Sequence, residues 1–255
     1  MAIFSALYDG PTTLSAETGH RRIYAPTAYR VVRELDQVPI LMSEAMRLGR
    51  YYPLCWRSGP AGPRLVALRS FLPKGRGHPR DVRLQGDALP LVLQAYPFIV
   101  PDADGLRGRS MTFDDAIADE PSDVGAPILM GDGRIGTAAL ARCKIAIELA
   151  RDLPDTLAFT RDVAAAGLLE PWPLRFDLGQ GERVDIADLM VLAPDRLGDG
   201  AVHDLVSRWG VEGGLFLSLQ RASLFRAGAL LAGAKQAVTP QVAASPAAAA
   251  MARSA

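Results

Sequence analysis

The residues whose types could do chemistry are few and scattered. Gly131-Asp132-Gly133-Arg134-Ile135-Gly136 spells GxGxxG, after apolar Ile128-Leu129-Met130 and before a helical pattern. In a dinucleotide fold such glycines let the main chain approach a pyrophosphate at a helix N-terminus. That fold also needs a second strand after the helix, ending in an acidic residue. Here a second helical pattern comes next, with Asp155 at its start. The motif therefore reads as a glycine-rich turn, and no cofactor is expected.

His20, His78 and His203 are isolated. Only His203 has a ligand-type neighbour, Asp204, and adjacent residues on a helix do not face one another. A metal site needs several converging donors, so none is expected. Cys55 and Cys143 match no CxxC spacing and read as small buried apolar residues rather than a disulfide or a nucleophile. Asp114-Asp115 and Asp119-Glu120 are paired carboxylates, which acid–base chemistry would need in a cleft at controlled separation. Their Gly- and Pro-rich surroundings, Asp114 to Pro127, read instead as a solvated loop or linker. No catalytic residue is identified. Arg30, His78 and Tyr96-Pro97-Phe98 remain as candidates for a pocket or an interaction surface, although core packing is the default for aromatics beside Ile and Val.

Composition excludes more than it names. The 255 residues carry 28 Lys plus Arg against 28 Asp plus Glu, a formal charge of zero. A nucleic-acid binder normally carries a basic excess on one face, so no nucleic-acid partner is expected. The zero balance also disfavours a polybasic membrane-surface protein. Only Lys74, Lys144 and Lys235 are lysines. Arginine suits bidentate carboxylate contacts, but codon bias in a GC-rich genome is the preferred explanation of the skew. The first residues lack a basic n-region, so no signal peptide is expected and the chain reads as cytoplasmic. No apolar run reaches the roughly 20 residues that span a bilayer.

These groups must be positioned by an α+β fold, with a strand-rich N-terminal half containing hairpins and a helix-rich C-terminal half containing one further hairpin. Residues 1–28 read as an extended leader over the surface. Residues 29–236 read as the domain, with a sub-boundary near 114–127. Tyr29–Arg33 reads as a strand, and Ser43 as the cap of a helix to about Arg50. Pro53–Arg57 and Arg64–Leu68 flank a Gly/Pro cluster and predict a hairpin. Asp87–Tyr96 reads as a helix, Pro97–Val100 as a buried strand and Arg109–Phe113 as its return. Thr137–Asp152 is the clearest helix, limited by Pro154, and Asp155 caps another that ends near Gly167. Leu174, Phe176 and Leu178 alternate, as do Val184 and Ile186 across Gly179-Gln180-Gly181, which predicts a second hairpin. Helices are expected at Pro194–Leu197, Gly200–Trp209 and Leu215–Ala234. From Ala237 the Ala/Pro-rich tail reads as disordered.

The landmarks, taken in order, resemble the SapC family of bacterial proteins, named after a surface-array protein. Val38-Pro39-Ile40, Glu44 and Tyr52-Pro53-Leu54 resemble its "VPL…E…YP" segment. Leu91–Val100, with Tyr96-Pro97-Phe98, resembles "F…RRYPFV", and Asp132-Gly133 resembles the "DxDG" turn before the long helix. Leu168-Leu169-Glu170-Pro171 matches "LLEP". Leu189-Met190-Val191 with Asp195-Arg196-Leu197 resembles "F-V-DE-L", and the terminal Leu-rich helix with Gln220 and Ser223 also fits. Basic Pro73–Arg80 replaces the usual "ENLF". The resemblance spans about residues 12–230.

The family has no agreed catalytic residues, so the resemblance assigns none. It implies an accessory or interaction protein linked to the cell envelope or surface layer, with a protein or peptide partner. Family members are often encoded beside outer-membrane receptors, halogenase-like proteins and cupin-type oxygenases. The alternative is therefore an enzyme or subunit of a peptide- or glycan-modifying system acting with an oxygenase- or halogenase-like partner. That reading requires a deep polar pocket around Arg30, His78 or Tyr96–Phe98. A surface-layer component would need a secretion route independent of a signal peptide.

Overall fold

The computed structural model describes residues 4–78, 82, 84–108, 111–121, 124–198 and 200–239. From the N-terminus the chain forms β1 (Pro11–Thr13), β2 (Arg22–Ile23), α1 (Arg30–Glu34), β3 (Gln37–Pro39), α2 (Ala45–Leu48), β4 (Leu54–Arg57) and β5 (Arg64–Leu68). It continues through α3 (Leu91–Ala95), α4 (Ala103–Gly108), β6 (Thr112–Asp114), β7 (Ala126–Pro127) and α5 (Thr137–Ala165). Last come β8 (Leu169–Pro171), β9 (Leu174–Gly179), β10 (Glu182–Ile186), β11 (Leu189–Leu192), α6 (Gly200–Ser223) and α7 (Arg226–Val238). The architecture is mixed α+β, with most strands early and the long helices late.

The largest sheet has the order β3-β5-β4-β11-β8, with every neighbouring pair antiparallel. Each edge strand ends in proline, Pro39 on β3 and Pro171 on β8. Proline offers no N–H to a further strand and so suits an edge. Both expected hairpins form, β4–β5 and β9–β10.

Three apolar clusters fill the interior. One gathers Tyr29, Leu93, Tyr96, Phe98 and Phe113, the second Tyr52, Trp56, Phe159, Leu192 and Phe216. The third lies under the β9–β10 hairpin, where Leu178 and Val184 meet Leu230 and Ala234 of α7. There α7 passes so close to the Gly75-Arg76-Gly77 turn that a Cβ on Gly233 would stand 1.8 Å from the Gly77 carbonyl oxygen. No real Cβ tolerates that distance.

Several local expectations are corrected. Tyr29–Arg33 is not a strand. Pro26 opens a 3₁₀ turn, Tyr29 is the extended residue before α1, and Val32 and Arg33 are buried. Long-range bonds override the strand preference of Val31-Val32. Arg33 donates to the Thr27 carbonyl and Arg69 donates to the carbonyls of Val32 and Leu35 at the end of α1.

Residues 4–28, expected as a surface leader, are anchored at several points. Phe4, Leu7, Ile23 and Ala28 are buried, β1 pairs with β6, and β2 pairs with β7. The same pairings give the acidic stretch 114–127 a strand at each end. Pro97–Val100 contributes a single bridge, Phe98 to Phe113, rather than a strand.

The helices expected at 137–152 and 155–167 are one helix of 29 residues with Pro154 inside it. An interior proline costs about 3 kcal/mol. The continuous buried face on both sides of it, Ala139 to Leu149 and Thr156 to Val163, offsets that cost. Asp87–Tyr96 is a 3₁₀ turn at Gly86–Ala88 followed by α3. Helix α6 runs from Gly200 to Ser223 through a non-helical Gly210. The tail expected from Ala237 begins inside α7, and residues 240–255 lie outside the described residues. No helix among the described residues is long and apolar enough to cross a membrane.

One side chain completes the main sheet. β4 and β11 pair at Arg57↔Leu189 and Trp56↔Met190 and then diverge. Beyond that point the buried Gln220 amide bridges them, donating to the Leu54 carbonyl at 2.8 Å and accepting from the Leu192 N–H at 3.4 Å. Ser223 Oγ accepts the Leu54 N–H at 2.9 Å. A Gln220→Leu substitution preserves apolar volume but leaves those two main-chain groups unsatisfied. It should destabilise the fold by about 1–3 kcal/mol in chemical denaturation. A change inside experimental error would show that the bridge contributes nothing.

Candidate functional site

The cleft is built from α1 outward. Pro26 and the extended Tyr29 set the start of this short helix. Arg33, on its buried face, reaches Asp119 and also Glu120 at 3.4 Å. The main chain of Glu120 donates to the Ala28 carbonyl at 3.1 Å. Residues 119–120 are thereby tied to the segment that leads into α1. On the opposite side, Asp36 accepts the Gly75 N–H at 2.8 Å and fixes the turn that carries Lys74. Lys74 adopts φ 60°, the left-handed region that side chains other than glycine seldom enter.

Between these walls lies an open cleft of about 860 Å³. Tyr29 and Tyr96 line its buried side, their rings edge-on with centroids 4.9 Å apart. Tyr8 stacks on the other side of Tyr96 at 6.2 Å. Helix α5 holds this aromatic group from behind, since Arg142 donates to the carbonyls of Tyr24 and Tyr96.

Asp114 is the anchor of the cleft. Its carboxylate is buried and accepts three bonds: the Gly10 N–H at 2.8 Å, the Asp9 N–H at 3.3 Å and the Tyr96 hydroxyl at 2.5 Å. Phe113 and Asp114 face inward at the end of β6, whereas Asp115 turns out to meet Arg21 at 2.6 Å. The two acids expected to share a solvated loop are thus separated by burial.

Burial, and then the carboxylate of Asp114, push the Tyr96 phenol far above its ordinary range. Burial also raises the phenols of Tyr29 and Tyr8. All three tyrosines therefore stay protonated at neutral pH and serve as hydrogen-bonding and apolar surface rather than as bases. Burial also raises the thiols of Cys143, to about 11, and of Cys55 beyond it, which removes thiolate nucleophiles at neutral pH. Among the described residues no three His, Cys, Asp or Glu side chains converge as a metal site requires.

Arg30 and Tyr96 both line the cleft. Pro97 lies in a smaller hollow of about 210 Å³ that shares Tyr29 and residues 114–117 with it. Phe98 is buried against Phe113, with ring centroids 6.5 Å apart. His78 is elsewhere, its ring 5.7 Å from that of Tyr52. Sequence reasoning misses Asp9 and Lys74, which lie far from Arg30 in the chain, and also Tyr29 and Glu34, which flank it. It has a signal for Asp114, the acid immediately after the apolar Phe113, but assigns that signal to a solvated loop. The GxGxxG segment forms a tight turn in which Leu129 bridges Ile135 and Gly136 donates to the Ile128 carbonyl. A Cβ on Gly136 would stand 2.6 Å from the Pro127 carbonyl oxygen, so chain packing accounts for that glycine.

Two predictions test this construction. Tyr96→Phe deletes one donor to a buried carboxylate and should cost about 1–3 kcal/mol. It should also accelerate amide exchange at Asp9 and Gly10, and unchanged exchange there would remove Asp114 from its anchoring role. The second concerns Asp119. Burial opposes its ionisation, but the Arg33 guanidinium overrides this and holds the carboxyl below the usual range. A depressed carboxyl stabilises the fold above its unfolded value and loses that contribution as pH falls through the folded one. Protection of the Glu120 amide should therefore drop below about pH 4. The drop should be absent in Asp119→Asn, and its persistence there would point to another group.

A SapC family model matches residues 15–208 of the 255. No match emerges among the curated proteins or among the solved structures. The match spans the landmarks from Val38 to Leu197 and includes α1 and β6, while Ala6, Leu7, Asp9 and Gly10, which also line the cleft, precede it. The chain belongs to the SapC family.

Proposed function

We propose that this SapC-family chain is an accessory interaction protein of the bacterial cell envelope or surface layer, and that it engages a protein or peptide partner through the cleft. The family membership supports the envelope setting. The cleft carries the interaction reading: ion pairs to the buried Arg33 and the hydrogen bonds of the buried Asp114 fix its walls, while its exposed rim includes Arg30, Lys74 and Ile117. A concave polar surface with an aromatic base and rigid supports suits the recognition of a segment from another molecule.

The same cleft is the feature required by the second reading, a subunit of a peptide- or glycan-modifying system working with an oxygenase- or halogenase-like protein. Under that reading the cleft presents substrate and the partner supplies the chemistry. Loss of the partner's turnover in Arg30→Ala, with retained binding between the two proteins, would favour it over the first.

Site-specific photocrosslinking in the native cell tests the interaction. Ile117 is 88% exposed on the rim and Phe225 is 88% exposed at the α6–α7 junction. A crosslinker at position 117 should give a discrete adduct with an envelope component, and one at position 225 should not. The adduct should weaken in Arg30→Ala. Adducts from position 225 alone, or only with cytosolic proteins from position 117, would overturn the proposal.

A further inference from the structure

The charged groups around the cleft fall into two sets. Asp36, Asp114, Asp115 and Asp119 are occupied, by the Gly75 N–H, by Tyr96 with two main-chain donors, by Arg21 and by Arg33. The side chains of Asp9, Arg30, Glu34 and Lys74 have no hydrogen-bond or ion-pair partner among the described residues, and all four line the cleft. This second set holds two cations and two anions.

Two features leave that set available to a ligand. Arg30 and Glu34 are four residues apart on α1, the spacing at which opposite charges on a helix pair, yet no ion pair closes between them. Lys74 enters the cleft from a left-handed conformation with φ 60°. Such conformations persist where surrounding structure imposes them, and they cluster at ligand clamps. Here Asp36 holds the N–H of the next residue, Gly75, at 2.8 Å.

A ligand of one sign would be repelled by half of these groups. A purely anionic molecule meets Asp9 and Glu34, and a purely cationic one meets Arg30 and Lys74. A ligand bearing both signs satisfies all four. Tyr29 and Tyr96 close the buried side, their hydroxyls held by the Tyr24 N–H and the Asp114 carboxylate, and the open cleft of about 860 Å³ is large enough for a small ligand. We infer that the cleft binds a short zwitterionic peptide, its carboxylate against Arg30 and Lys74 and its ammonium against Asp9 and Glu34. This assignment rests on the reading of the cleft as the interaction site and narrows what that site accepts.

The test uses the full chain, immobilised, and a pool of random tetrapeptides with both termini free. The same pool is offered N-acetylated, C-amidated and blocked at both ends, with retained peptides counted by mass spectrometry at low salt. Free peptides should be retained at least about tenfold over either singly blocked pool, a difference of about 1.4 kcal/mol. Raising the salt should erode the preference, because exposed charges are screened.

Arg30→Ala should abolish the discrimination against amidation, and Glu34→Gln should reduce that against acetylation. Lys74→Gly supplies the control for folding. Glycine accepts φ 60° without strain, so this variant should melt no lower than the parent while retaining fewer free peptides. Equal retention of blocked and free pools, or no retention of the free pool, would overturn the assignment. If position 117 still crosslinks to an envelope component in that case, the interaction cleft stands and only its peptide ligand falls.

Discussion

The long helix α5 is the constraint on which the rest of the molecule depends. Its 29 residues rise over about 44 Å and pass through two of the three apolar clusters. Ala139, Cys143, Ala146 and Leu149 pack beside Tyr29 and Tyr96, while Phe159 and Val163 pack beside Tyr52, Trp56 and Phe216. Small residues at the first end allow α3 and the Tyr96 segment to come close. Larger ones at the second end fill the space under the main sheet. Because one rigid rod belongs to both clusters, neither can shift without straining the other.

That rod also carries the polar contacts which place the cleft. Arg142 fixes the carbonyls of Tyr24 and Tyr96, so the ring of Tyr96 is presented to Asp114 from a restrained main chain. Thr156 and Thr160 serve the other end, accepting the Met42 N–H at 3.0 Å and meeting the Trp56 indole nitrogen at 3.3 Å. The buried Glu44 extends the same logic. It accepts the main-chain N–H groups of Leu41 and Leu91 and pairs with Arg47, although burial pushes its carboxyl upward. Each buried charge therefore joins segments far apart in sequence. At the cleft, Asp9, Arg30, Glu34 and Lys74 stand instead on the open side, where water carries the solvation cost until a ligand arrives.

Legibility from sequence tracks the range of the forces involved. The hairpins at 54–68 and 174–186 are readable because alternation and Gly/Pro turns are local. The Thr137 helix is readable for its first half. Its passage through Pro154 is not, because packing of Phe159 and Val163 beyond the proline decides the matter. Val31-Val32 misleads for the same reason: Arg33 reaches Asp119 and Arg69 reaches the Val32 carbonyl, contacts that no window of neighbouring residues contains. At the cleft, Arg30 and Tyr96 stand out in the sequence as separate candidates, and only the fold brings them to one surface. Asp114 reads as solvent-facing because its neighbours are acidic. Its burial is set by Tyr96 and the Asp9-Gly10 amides, contacts 18 and 104 residues distant for Tyr96 and Gly10.

The family match ends at residue 208, but the fold depends on residues beyond that boundary. Gly210, with φ 65° and ψ −158°, breaks α6 just past it and redirects the chain. The redirected stretch delivers Phe216 and Leu217 to the second cluster, and α7 delivers Leu230 and Ala234 to the third. More specifically, it inserts Gln220 and Ser223 between β4 and β11, where the sheet would otherwise leave main-chain groups unpaired. β4 and β11 themselves lie inside the matched region. A family core that needs a bridge from outside its own matched boundary is not closed there. The residues after 208 are therefore part of the folding unit up to at least Ala234, and the match boundary marks where sequence similarity fades rather than where the fold ends.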